Sequence, residues 1–246
     1  MSRVFACSCG VETEERDLDM LVLPVLGHFD TVHPELGITA SSVRNYLEAE
    51  DRMTGSKERL DTIGNVEIRA VGPDTLEDIL SFFDTEVFVD NPAWASCYCM
   101  FYPVGDPPGE IWGNRTWQQN RADQAARIAS GETTGVVAFV DGRLAGWCHA
   151  AARARFPGLV KGEADEGVGS IVCFAISPPY RRHGLASRLL DGAVSHLRSS
   201  GFSRIEGYPV AEPRSRERAY HGSPALFLSK GFKVVSEDPL VVALKD

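Results

Sequence analysis

A mixed, mostly antiparallel twisted α/β sheet with flanking helices (α+β in its ordering), behind a small N-terminal domain, is the architecture this sequence predicts. Three observations carry it. Val136 to Cys148 holds two apolar runs joined by Asp141-Gly142, the dipeptide of tight hairpins. Ile171 to Ile176 is an uninterrupted apolar run that feeds a small-residue turn and then an amphipathic helix. The first 55 residues differ from the rest: residues 1–64 hold 6 basic and 12 acidic side chains, a net of -6 out of the chain's -9.

Taken in order, the N-terminal block, residues 1–55, holds Cys7-Ser8-Cys9 and His28 with His33. Two thiols and two imidazoles are the ligand types of tetrahedral zinc. His-x4-His is a usual separation and Cys-x-Cys a tight one, so buried thiols and helix-end histidines stand as the alternative to zinc. Thr54 to Arg59 is polar and aperiodic, which suits a linker over 54–64. The second unit, 65–246, opens with an alternating strand at Val66–Val71, then a helix capped by Asp74 with Leu76, Ile79, Leu80 and Phe83 at helical spacing. Ser96–Tyr102 alternates as a strand packed on both faces, and 114–128 reads as a helix. After the hairpin and the apolar strand, Leu185 to Leu197 is a helix ending at Gly201. A late helix through Leu226 to Gly231 and one terminal strand complete the order.

Composition narrows the function classes. The 246 residues are 43% hydrophobic and 24% charged, as in ordinary globular proteins, and suffice for one full domain plus a small companion. Met20 to Leu26, the longest apolar run, falls far short of the ~20 residues a bilayer needs, so no membrane partner is expected. The first ten residues lack a signal-like stretch, which points to a cytoplasmic protein whose six cysteines are thiols, buried or metal-bound. A formal charge of -9 without a long basic run argues against nucleic acid. A homodimer is left open.

Arg181-Arg182-His183-Gly184-Leu185-Ala186 stands where the apolar strand meets its helix. Such a turn aims unpaired backbone N–H groups and the positive end of the helix dipole at one spot. Gly184 and Ala186 leave room for a pyrophosphate, and Arg181, Arg182 and His183 add positive potential. Gly-x-x-x-x-Gly-Lys-Ser/Thr is absent, as is Gly-x-Gly-x-x-Gly after the first strand. The ligand is therefore expected to be a diphosphate-bearing cofactor of another kind.

That string fits Arg/Gln-x-x-Gly-x-Gly/Ala and resembles the acetyl-CoA motif of the GCN5-related N-acetyltransferase (GNAT) family. Ala225 to Phe232 resembles the family's late helix ending in Lys-Gly-Phe, and the resemblance covers about residues 65–246. It implies the GNAT fold and an acetyl-CoA-dependent transfer of an acetyl group to a primary amine, on a small molecule or peptide, by direct attack in a ternary complex. It places the pantetheine along Phe174, Ala175 and Ile176 and the pyrophosphate at Arg181 to Ser187. The family's usual phenol, four before Gly231, is here Phe227, so Tyr220 is the expected acid, with a packing role as its alternative. Ser170 replaces the glutamate base of some relatives; Glu206 acting through water, His149 or His221 could take its place. The aromatic residues Trp94, Tyr98, Trp112, Trp117 and Trp147 fit an acceptor pocket or a core. A non-catalytic acyl-CoA sensor and a metal-responsive regulator are the competing readings. The N-terminal block also resembles small modules that pair early cysteines with a later His-x4-His.

Overall fold

The computed structural model describes residues 2–104, 110–159, 167–210 and 216–245. At the N-terminus β1 (Arg3–Ala6) and β2 (Glu12–Glu15) form an antiparallel hairpin, Arg3 opposite Glu15. Helix α1 (Leu18–Val32) starts where the Asp17 carboxylate accepts the Met20 N–H at 2.9 Å, and α2 (Ala40–Arg52) where the Thr39 hydroxyl accepts that of Ser42. Their facing sides bury Leu21, Val22, Val25, Val43 and Leu47, to which the hairpin adds only Phe5.

Residues 54–64 are not a free spacer. The N–H groups of Thr54 and Gly55 both donate to the Thr85 carbonyl, and that of Leu60 donates to Pro179. Beyond them comes β3 (Val66–Ala70), then a single 3₁₀ turn, Pro73–Thr75, that leads into α3 (Leu76–Thr85). Thr75, bonded to Gly72, shapes this start instead of Asp74.

Ser96–Tyr102 is not the strand its alternation predicts. Tyr98 and Cys99 take φ of 44° and 59°, left-handed values that break any pleat, and α4 (Phe101–Val104) follows. The alternation misleads because Cys97 to Met100 is covered from all sides, so apolar residues are demanded at every position. After α5 (Glu110–Gly113), α6 (Trp117–Ala129) begins three residues later than the sequence suggests, at a reciprocal Thr116–Gln119 cap.

The sheet is built around β4 (Gly135–Val140) and β5 (Arg143–Ala152), joined by Asp141 and Gly142 at φ 50° and 82°, the paired left-handed values of a type I′ turn. Next come β6 (Val168–Ile176), α7 (Leu185–Ser199), β7 (Arg204–Gly207), the five-residue α8 (Pro224–Leu228), β8 (Lys233–Glu237) and β9 (Leu240–Lys245). The C-terminus is thus a hairpin where one strand was expected. Sheet order is β3-β4-β5-β6-β7-β9-β8, antiparallel except for β6 beside β7. Among the described residues no helix is long and apolar enough to cross a membrane.

Period-two alternation sorts the sheet's side chains into two cores. Val136, Ala138 and Cys148, with Ala145 brought to the same side by the register shift opposite Ala138 and Phe139, meet Leu185, Leu189, Ala193 and Leu197 of α7; Val137, Phe139 and Trp147 meet Ile79, Phe82, Phe83 and Ile128 of α3 and α6. Each such large side chain contributes roughly 1.5–3 kcal/mol by burial. Gly192 sets the seat of α7, since a Cβ there would meet Ile68 at 2.7 Å.

Two irregularities open the sheet. Ile171 faces Ala150 and Cys173 faces His149, so Val172 is an extra, bulged residue. Strands β6 and β7 pair only from Val168/Arg204 to Ile171/Gly207 and then part. The wedge between them is floored by the fully buried Phe227, whose ring a Cβ on Gly207 would overlap.

Candidate active site

Beyond the end of β6 the chain turns through Pro178–Tyr180 and reaches α7 by way of Arg182 at φ 69° and Gly184 at φ 76°. Left-handed residues beside a helix start make a concave nest of N–H groups. Those of Leu185, Ala186 and Ser187 have no acceptor within the helix, because it begins at Leu185. A Cβ on Gly184 would meet nothing within 4 Å, which leaves the nest open.

The three cations of the motif have three different placements. Arg181 donates from Nε to the Ile176 carbonyl at 2.7 Å and from Nη1 to Asp90 at 2.6 Å, with Val87 as a further acceptor. It is a latch between β6 and the segment after α3. His183 donates from Nε2 to the Leu60 carbonyl at 2.9 Å. Arg182 is exposed and has no hydrogen-bond partner among the described residues, so it is the cation left for a phosphate.

A cleft of about 930 Å³ runs from this nest along the wedge, lined by Asn91, Phe174, Ile176, Arg182, Ala186 and Tyr220 among others. Its wall is an open strand edge. The Val172 carbonyl accepts from His221 Nδ1 at 3.1 Å, and the Ile176 carbonyl accepts from Arg181. Backbone groups alternate along a strand, so the N–H and C=O of Phe174, midway between these two, point to the same edge. Ala175, expected to bind the cofactor, turns its side chain into the opposite core and, by the same alternation, its N–H and C=O toward Trp147 of β5, so it offers the cleft nothing; Leu185 buries its side chain under the sheet and offers only its N–H.

Tyr220 precedes α8 in a separate 3₁₀ turn, Arg216–His221, and Ser223 then caps the helix. Burial pushes its phenol up to about 12. It forms one wall of the cleft and one of a smaller apolar pocket lined by Phe88, Trp94, Phe101, Tyr102, Cys173 and His221. Since a carbonyl only accepts, His221 must carry its proton on Nδ1 when neutral. That leaves the Nε2 lone pair toward the Tyr102 hydroxyl at 3.4 Å.

The other acid–base candidates are placed elsewhere. Glu206 is not an exposed carboxylate: it is 3% exposed, accepts from Arg204 at 2.5 Å and Tyr208 at 2.9 Å, and lies 3.7 Å from Arg153. It does not line the cleft. Ser170 bonds to the Tyr208 hydroxyl at 2.8 Å. His149 is sealed between Trp147 and Phe156, where burial pulls it down to about 3 and keeps it neutral. Trp147 and Tyr98 are core, Trp117 stacks under Arg52 at 4.0 Å, and Trp94 with Trp112 line pockets. Asp90 and Asn91 were not legible in advance, because nothing in their spacing ties them to a motif 90 residues away.

At the N-terminus Cys7 and Cys9 meet His28 and His33, with their four ligand atoms all within 4.8 Å of one another. A hydrogen bond from the Cys9 backbone, followed in size by one involving His28, pulls the Cys7 thiol down to about 6.

Comparison with known proteins places the chain in a family. The profile of the acetyltransferase (GNAT) family matches residues 94–221, just over half the chain. No curated protein matches. Among solved structures, the GNAT domain of an S. lividans protein is 16% identical, with a TM-score of 0.47 over 74% of this chain and 92% of its own. A putative acetyltransferase from Salmonella typhimurium, solved with its cofactor acetyl-CoA, is 14% identical, with a TM-score of 0.44 over 73% and 93%. An N-acetyltransferase from Thermoplasma acidophilum, solved with coenzyme A, is 17% identical, with a TM-score of 0.43 over 74% and 99%. The family profile spans the bulged strand, the nest and Tyr220 alike, and by that match the chain belongs to the acetyltransferase (GNAT) family.

Proposed function

We propose that this protein is an acetyl-CoA-dependent N-acetyltransferase that joins an acetyl group to a primary amine by direct attack in a ternary complex. The observation that carries this reading is the continuity of the nest, the cleft and the open edge at Phe174. Pyrophosphate suits the N–H groups of Gly184 to Ser187 with Arg182 beside them, and pantetheine suits the backbone of Phe174. Acetyl-CoA supplies the activated thioester. The chain's part is to fix that thioester at the bulge, offer a backbone N–H to the developing oxyanion, and take a proton from the amine.

For the proton, His221 is better placed than Glu206 or His149. The Val172 carbonyl fixes its tautomer, and its ring lines the inner pocket through which an amine would approach. The aromatic lining of that pocket favours an amine on an apolar carrier. Tyr220, shared by cleft and pocket, donates a hydrogen bond to the leaving sulfur.

A panel of primary amines, apolar to polar, should show release of free CoA for at least one apolar amine. Acetyl-CoA binding with no release for any of them would instead mark a non-catalytic sensor. In the same assay His221→Gln should lower kcat/KM by about 10²-fold or more, within the general-base range, without changing acetyl-CoA affinity. A loss under ~3-fold, far below that range, would remove His221 from the mechanism.

A further inference from the structure

We infer that Cys7, Cys9, His28 and His33 form a tetrahedral zinc site that staples the N-terminal hairpin to α1, and through α2 supports the wall of the inner pocket. Ligand identity and spacing come first. The Cys7 Sγ to His33 Nε2 and Cys9 Sγ to His28 Nε2 distances are both 3.5 Å. Zinc bonds of ~2.3 Å to sulfur and ~2.0–2.1 Å to nitrogen, at tetrahedral angles, put sulfur and nitrogen ligands ~3.6 Å apart. The two observed contacts therefore have the length of a zinc tetrahedron's edges. Two thiolates and two neutral imidazoles also balance the charge of the ion.

Backbone and surroundings are shaped for the same purpose. The cysteines lie on a tight turn between β1 and β2, in which Gly10 donates to the Cys7 carbonyl and takes φ 94°. His28 sits on α1 and His33 at its end, their rings 5.3 Å apart. Both use Nε2, and the other nitrogen of His33 faces Glu35 at 3.9 Å, a carboxylate in the place where metal-bound imidazoles usually find one. The hairpin needs such a clasp. An isolated two-stranded hairpin is marginal in water, and this one buries only Phe5 in the core beneath it.

The clasped unit reaches the rest of the chain through α2. Asn45 donates to the Arg115 carbonyl at 2.9 Å and accepts the Trp117 N–H at 3.0 Å, while Arg52 donates to the Tyr98 hydroxyl at 3.1 Å. Tyr98 follows Cys97 and precedes Cys99 in the chain and packs its ring on Phe83 at 5.6 Å, and these three neighbours line the inner pocket. Zinc loss should accordingly affect the amine and not acetyl-CoA; this part rests on the function proposed above.

The test starts from full-length protein purified without chelator. About one zinc per chain is expected. Cobalt exchanged into the site should show the intense visible absorption of tetrahedral thiolate coordination. Cys9→Ser and His28→Ala should each weaken cobalt binding beyond the ~10–100-fold that loss of a merely supporting contact costs. No metal in the wild-type chain, an octahedral cobalt spectrum, or unchanged affinity in both variants would overturn the site. Zinc removal should raise the amine KM several-fold and leave the acetyl-CoA Kd within about twofold. An unmoved KM in a protein that does bind zinc would overturn the link to the pocket. Failure to bind acetyl-CoA at all would overturn the reading of the cleft and leave the zinc site standing.

Discussion

Gly184→Glu is expected to weaken acetyl-CoA binding by at least ~100-fold while the protein stays folded. The Cβ at this position has nothing within 4 Å, so the side chain is accommodated sterically. At φ 76° a non-glycine residue costs about 1–2 kcal/mol of backbone strain, charged to stability and not to affinity. The affinity loss comes from charge. A carboxylate ~4 Å from a phosphate at an effective dielectric of ~20 is repelled by about 4 kcal/mol, and each 1.4 kcal/mol is tenfold. Water at the exposed loop reduces that figure, and ~100-fold allows for it. Gly184→Ala separates the two effects, because it keeps the strain and omits the charge. Calorimetry should give an alanine variant within a few-fold of wild type and a glutamate variant with no measurable heat. Equal affinity in all three, with far-UV spectra unchanged, would place the cofactor elsewhere.

Tyr220→Phe should lower kcat by ~10²-fold at saturating substrate, the lower end of the general-acid range, with acetyl-CoA affinity unchanged. The lower end applies for a specific reason. A phenol pushed up to about 12 keeps its proton at every working pH, which suits a donor. Yet handing it wholly to a thiolate with a reference pKa near 8.5 runs uphill, so the stabilisation is that of a hydrogen bond to the departing sulfur. Removing that bond slows the transition state alone, so the loss falls on kcat and not on binding. The sign of the pH effect follows: neutral below about 12, Tyr220 imposes no alkaline limb on the rate near neutrality. Phe227→Tyr is the companion measurement. Phe227 is fully buried against Phe174, Phe232 and Gly207, so its ring plugs the wedge and does not reach into the cleft. The added hydroxyl should lower the melting temperature and give no gain in kcat. A loss below ~3-fold in Tyr220→Phe, well under the general-acid range, would show that Tyr220 is not the donor. A gain in Phe227→Tyr would restore the role to that position.

What the sequence disclosed, and what it withheld, follows one physical division. Local rules wrote the hairpin at Asp141-Gly142, the helix after Gly184 and the apolar strand before it, and all three are present. The same rules failed at Ser96–Tyr102, where burial from every side imitates a strand. Contacts between distant segments left no local trace. Arg181 was legible as a cation but not as the partner of Asp90, and Glu206 as a carboxylate but not as the centre of a buried network with Arg204 and Tyr208. The four metal-ligand candidates lie in the opposite situation. Their residue types announced a possible site, and only the fold of β1, β2 and α1 could show that the four converge.

The open edge of β6 has a consequence for the protein's behaviour at high concentration. A bare strand edge is a template on which another chain can add itself, and many proteins blunt such edges with charge, bulges or covering loops. Here the edge is interrupted at both ends: the bulge at Val172 with His221 upon it breaks the register on one side, and Arg181 occupies Ile176 on the other. Only the single rung at Phe174 remains. One rung is too short to nucleate a pairing between polypeptides, and it is enough for the slender, flexible cofactor proposed above. The two caps thus leave the unzipped stretch of β6 too short for another strand to add to it there, and their removal would lengthen that bare edge.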